Sequence, residues 1–253
     1  MRKTVVWCVL ASLLVVSLLA VLTAAGAPEK GRQDDRVLSK VTFIHFRRGH
    51  GKPDWTPGGG GGKGGGKKAE EGHYAYISKG ARWRDMEPFV LNPTNTQGLG
   101  EGFVVAAVSD ALAEWESYAG DVFGPLDVDY DADYNDGELD DANTFSFGSY
   151  PDPWVIAVTT VWGYFSGPPG QREIVEADVM FNEDFAWGDG ELDAGVMDLC
   201  NIATHEGGHC GGMGDVYEPA ADQETMYGYS DYGETIKRDL YTGDITGITK
   251  LYQ

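Results

Sequence analysis

Residues 204–215 read Thr-His-Glu-Gly-Gly-His-Cys-Gly-Gly-Met-Gly-Asp, and no other stretch of this 253-residue chain restricts its fold and chemistry so tightly. Two histidines four positions apart point the same way only on a helix, one turn from each other. Val196, Leu199, Cys200 and Ala203 recur at helical spacing just upstream, which predicts a helix over residues 194–211. On such a helix the neutral nitrogens of His205 and His209 can hold one Zn²⁺ ion. Glu206 lies about 100° round the helix, within reach of a water at the metal without being a ligand. Zinc acidifies water and polarises a carbonyl, so a carboxylate in that place suits a general base and acid.

A catalytic zinc usually takes a third protein ligand. Gly212 can adopt the left-handed conformation that ends a helix and turns the chain back, which would return Asp215 to the metal. Glu234, 25 residues after His209, is an alternative third ligand at a thermolysin-type distance. Gly207 and Gly208 count against a helix, at about 1 kcal/mol each relative to alanine, unless its apolar face is buried. Eleven residues beyond Asp215, Met226 lies in the run Glu-Thr-Met-Tyr-Gly, where a methionine can pad the floor beneath the imidazoles. Tyr227 and Tyr229 would line a cleft or cap the core.

The rest of the chain divides by composition. Arg2 and Lys3, an apolar run over residues 5–22 and small residues to Ala27 make a secretory signal over residues 1–27, with cleavage expected after Ala25, or else an uncleaved anchor. Either way the chain faces outward. Residues 28–68 hold ten Lys/Arg against four Asp/Glu, and residues 69–253 seven against thirty-six. A small basic segment therefore precedes a large acidic one, whose charge argues against nucleic acid as a partner. In the basic segment residues 41–46 are strand-like. The glycine tract of residues 58–66 reads as a linker, followed by a candidate processing pair, Lys67-Lys68. Residues 69–253 read as one α+β domain: an amphipathic helix over 101–118, strands near 143–147, 154–162 and 174–181, the histidine-bearing helix, and a last helix over 244–252. Cys200 and Cys210 on one helix would lie roughly 15 Å apart, too far for a disulfide, and should be free thiols. Asp129, Asp131, Asp133, Asn135 and Asp140 alternate before and after a glycine turn. They offer oxygen ligands to calcium, or else form a solvated acidic loop.

Taken together, His-Glu-x-x-His-x-x-Gly-x-x-Asp, the Met226 turn, residues 174–182 and the ending of residues 243–252 resemble the matrixins, a family of metzincin zinc peptidases. The resemblance covers residues from about 81 to 253. It implies a twisted, mixed five-stranded sheet with an N-terminal helix, an active-site helix and a C-terminal helix. It also implies zinc on His205, His209 and Asp215, Glu206 as general base, and an Asp244 that tethers the Met226 turn. Protein or peptide substrates would lie extended along an edge strand. A monomer is expected, with a membrane as partner only if residues 1–27 stay attached. The family's last ligand is more often histidine. With no cysteine between residues 28 and 199, its cysteine-based latency cannot operate. Opposite charge suggests instead that residues 28–68 dock on the acidic domain with residues 41–46 near the cleft, the other reading being a stalk. A non-catalytic, acidic, cation-binding module of the same fold is the rival outside enzymology.

Overall fold

The ladder that organises the molecule begins in the basic segment. In the computed structural model, which describes residues 36–51 and 72–253, strand β1 (Leu38–Arg47) is followed by β2 (Ala75–Tyr76), β3 (Glu87–Leu91), helix α1 (Glu101–Ala119), β4 (Phe123–Val128), β5 (Thr144–Gly148), β6 (Val155–Tyr164) and β7 (Glu173–Asn182). Then come β8 (Trp187–Gly188), β9 (Met197–Asp198), helix α2 (Leu199–Cys210), β10 (Met213–Gly214), β11 (Tyr229–Ser230) and helix α3 (Thr242–Tyr252). Seven strands form one mixed sheet in the order β11-β1-β6-β7-β5-β3-β4, and two further pairs, β10-β2 and β8-β9, stand apart from it. The expected signal or anchor, its cleavage after Ala25, the glycine tract and the Lys67-Lys68 pair lie outside the described residues.

Five of the seven strands make up the five-stranded mixed sheet that the resemblance implies, three of them (β5, β6 and β7) where the sequence pattern puts strands. β7, β5, β3 and β4 run parallel, and β6 closes the set antiparallel to β7. The other two enlarge the sheet from five strands to seven. β1 pairs antiparallel along β6 from Leu38 opposite Tyr164 to Phe46 opposite Val155, and β11 pairs parallel with the end of β1. Val41, Phe43 and His45 are buried at alternate positions along β1, as expected where one face meets a core. Among the described residues, 36–51 belong to the same compact unit as 72–253.

The helices cover one face of the sheet. Val104, Val108, Ala111, Leu112 and Trp115 on α1 share a core with Leu199, Ile202 and Ala203 on α2, Ile248 on α3, and Phe89, Phe145, Val179 and Phe181 from the sheet. A smaller cluster, Phe46, Val155, Val158 and Met180, gathers around β1, β6 and β7. α2 begins at Leu199 rather than near residue 194, because Asp198 caps it: the carboxylate accepts the Asn201 N–H at 2.7 Å. Among the described residues no helix is long and apolar enough to cross a membrane.

Candidate active site

Both ends of α2 are held by named contacts. At its start Arg238 donates Nε to Asp198 at 2.8 Å, fixing the capping carboxylate. At its end Gly212 takes φ +100°, and a Cβ there would stand 2.7 Å from the Ala81 carbonyl oxygen. The turn that brings Asp215 back therefore needs glycine both for conformation and for space. The paired glycines within the helix have a packing reason. A Cβ on Gly208 would meet Met226 Sδ at 2.3 Å and Trp115 Cζ2 at 2.5 Å. α1 and the Met226 turn thus approach the α2 backbone at this point, and Trp115 Nε1 donates to the Thr204 carbonyl at 2.7 Å.

Neighbouring carbonyls set the tautomers of the two histidines. His205 Nδ1 donates to Thr225 O at 2.7 Å, and His209 Nδ1 to Met213 O at 3.0 Å. Each Nε2 is left as a bare lone pair. These atoms face Asp215 Oδ1 at 3.2 and 3.3 Å, and all three are buried without a hydrogen-bond donor. The ligand atoms of His205, His209 and Asp215 lie within 4.8 Å of one another. Three converging acceptors call for a cation, and two imidazoles with a carboxylate are a donor set that suits zinc. Asp215 Oδ2 is turned away, accepting the Tyr217 hydroxyl at 2.9 Å. Burial disfavours the Asp215 charge, but the two imidazoles outweigh it and hold the carboxyl well below the usual range. Burial lowers His205 to about 4. At His209 burial acts downward too, yet Asp215 raises it overall.

Glu206 sits beside this group, buried between two strands. Its Oε2 accepts the Thr159 hydroxyl of β6 at 2.5 Å, and its Oε1 accepts His45 Nδ1 of β1 at 2.9 Å. Burial raises its pKa, against the pull of His205 and His209. His45 is itself buried and pushed down to about 3, by burial first and by the Lys237 charge second. It also lies over His205, ring centroids 3.9 Å apart, while Phe43 stacks on His209 at 3.8 Å and 12°. The sequence singles out none of His45, Thr159, Tyr217 and the carbonyl of Thr225, although the expectation that residues 41–46 lie near the cleft takes in the first. The alternation of Val41, Phe43 and His45 was the available signal for the first; the others carry none, because their partners are remote or main-chain.

The floor of the site is tied to α3. Asp244 accepts Thr225 N at 2.6 Å and Met226 N at 3.1 Å, and Met226 is fully buried. Glu224 returns the contact by accepting Gly243 N at 2.8 Å. Tyr229 belongs to the sheet edge through β11, and its carbonyl accepts Lys237 Nζ at 2.6 Å. The alternative ligand Glu234 is not with the imidazoles. It pairs with the fully buried Lys237, accepts Ser230 Oγ at 3.0 Å and meets Arg48 at 3.2 Å, so its charge is engaged by two cations away from the imidazoles. Nor do the acidic-loop residues converge: Asp129 accepts Asp131 N at 2.9 Å, Asp133 accepts Asn135 N, and Asn135 donates to Asp140 at 3.3 Å. The exposed side chains of Asp129, Asp133, Asn135 and Asp140 serve their own loop. Among the described residues no group of three metal-binding side chains includes them. Cys200 and Cys210 are free thiols, as their spacing predicts.

The chain is 26% identical over 185 residues to Metalloendoproteinase 1-MMP of Arabidopsis thaliana, covering 71% of this chain and 47% of that protein. It is 27% identical over 179 residues to Matrix metalloproteinase-25 of Homo sapiens, covering 70% and 31%. The aligned part thus spans less than half the length of either relative. Residues 88–253 match the Matrixin family model, which takes in the whole metal-ligand candidate set, the Met226 turn and α3. The chain belongs to the matrixin family.

Proposed function

We propose that this protein is an exported zinc-dependent endopeptidase, with His205, His209 and Asp215 holding the metal and Glu206 acting as general base and acid. One observation carries the reading: three buried acceptor atoms converge with no donor among them, beside a buried carboxylate on the same helix. Zinc held there supplies Lewis acidity to a peptide carbonyl and acidifies a water. Glu206 takes the water's proton at a carboxylate oxygen and delivers it to the leaving amine. Thr159 fixes the orientation of that carboxylate, and the carbonyls of Thr225 and Met213 keep both imidazoles in the ligating tautomer. Met226 and Asp244 hold the floor beneath them. Extended protein or peptide segments are the substrate class, recognised through main-chain pairing along β6. Export rests on the charged, apolar and small-residue order of residues 1–27.

The test is zinc content and hydrolysis of unfolded casein by the full chain, with Glu206→Ala and Asp215→Ala run alongside. One zinc per chain in the wild type and in Glu206→Ala, with a low basal cleavage by the wild type and none by Glu206→Ala, is the expected result. Asp215→Ala loses the metal. Equal cleavage by wild type and Glu206→Ala would refute the assignment of the base. Zinc retained by Asp215→Ala would refute the third ligand.

A further inference from the structure

The edge of β6 that an extended substrate needs is already paired, from Leu38 to Phe46, with a strand of the same chain. A strand edge pairs with one partner at a time, so β1 and a substrate exclude each other there. The side chains of β1 reach deeper than the ladder. Phe43 and His45 lie over the rings of His209 and His205, and His45 takes one oxygen of Glu206 while Thr159 takes the other. Glu206 is fully buried beneath them, so neither oxygen is open to a water or a peptide. The basic character of the segment is matched by acidic neighbours: Arg36 meets Glu173 at 2.6 Å, Lys40 meets Glu138 at 3.1 Å, Arg47 meets Asp231 at 2.8 Å and Arg48 meets Glu234 at 3.2 Å.

We infer that β1 is an intramolecular inhibitor of the peptidase site, blocking the substrate edge with its backbone and disabling Glu206 through His45. This rests on the peptidase reading and adds its regulation. A protein of this family with no cysteine available for latency is silenced here through the base rather than through a sulfur ligand. The contact is non-covalent, so a cut between β1 and β2 does not by itself free the cleft. Activation requires β1 to leave or to be cut within its own length.

Three forms of the full chain test this. In the double variant Val41→Asp/Phe43→Asp, two buried β1 side chains become charged within an acidic domain. The expected result is faster hydrogen exchange of the amides in residues 155–164, in metal-free and zinc-loaded protein alike. Casein hydrolysis should rise about tenfold or more, since a tethered strand acts at an effective concentration on the order of millimolar. A synthetic peptide of residues 36–51 added in trans reverses both changes. In His45→Ala the ladder stays and Glu206 is released, so intact mass shows β1 itself cut, and a second substitution, Glu206→Ala, abolishes that cut. Exchange that quickens with no rise in Glu206-dependent hydrolysis overturns the inference and leaves the peptidase intact. No Glu206-dependent cleavage by any form overturns the peptidase reading and the inference with it. If the double variant fails to fold, His45→Ala decides: an uncut β1 with an unchanged rate refutes the inference.

Discussion

Gly207 and Gly208 are adjacent in one helix, yet their surroundings ask opposite things of a methyl group. At Gly207 a Cβ would stand 3.4 Å from Leu112 Cδ2 and Trp115 Cδ1, which is ordinary contact. Alanine there gains helix propensity of about 1 kcal/mol with nothing pushed aside. At Gly208 the same methyl would lie 2.3 Å from Met226 Sδ and 2.5 Å from the Trp115 ring. Overpacking of a rigid core costs about 1–3 kcal/mol, which exceeds the propensity gain. Urea unfolding of metal-free protein should therefore move the midpoint up or leave it for Gly207→Ala, and down for Gly208→Ala. A shared sign for the two would refute the packing account. The sequence displays the cost of two helical glycines but not the reason for the second. That reason is the approach of Trp115 and Met226, whose closeness to residue 208 is set by tertiary packing. The motif positions fare better, because their chemistry is local: His205, His209 and Asp215 meet through one helix and the Gly212 turn, which spacing anticipates, while only the pairing of Glu234 with Lys237 removes the alternative ligand.

Among the elements, legibility follows the distance to a partner. α1 and the strands β5, β6 and β7 lie where periodicity puts them, since each carries its own apolar pattern. β3 and β4 go unread because proline, glycine and acidic residues interrupt them, and their strand character comes from pairing with each other. β1 is visible as a strand-like run, while its place in the sheet depends on β6, more than a hundred residues away. α2 starts later than its apolar period predicts for a physical reason: Val196 fits the helical period, but the Asp198 cap decides the boundary. That cap has more than one task. Its carboxylate accepts Asn201 N at 2.7 Å and Gly190 N at 2.7 Å, and it pairs with Arg238. Losing a cap costs about 1 kcal/mol, and losing a hydrogen bond to a charged group about 1.5–3 kcal/mol. Asp198→Ala should thus destabilise the protein by roughly 2.5–4 kcal/mol in urea unfolding, by summing those contributions. Asp198→Asn, which keeps the cap and loses the charge, should recover about half. An Asn variant as damaged as the Ala variant would assign the effect to the Arg238 pair alone.

For the whole molecule, the excess of forty acidic over nineteen basic residues makes the placement of buried carboxylates decisive for stability against pH. Asp178 on β7 is 2% exposed, its Oδ2 has no partner, and Glu176 and Asp140 stand near it. Burial, followed by those two charges, raises its pKa to about 8. In the unfolded chain an aspartate titrates near 3.9. Between these values the folded state keeps a proton that the unfolded state has released. The contribution of Asp178 to stability is therefore full below about pH 3.9 and is lost as pH rises through about 8. Asp178→Asn cannot ionise, so its stability lacks that decline. Melting temperatures of wild type and variant, measured metal-free between pH 5 and 9, should converge at the acid end and separate toward the alkaline end in favour of the variant. Parallel curves would show that Asp178 titrates normally and that its orphaned oxygen is satisfied in solution. Asp178 is not among the candidate metal ligands, and its titration reports on β7, which pairs with β6 in the sheet that carries β1. That titration therefore tests the sheet on which β1 and the proposed site both depend.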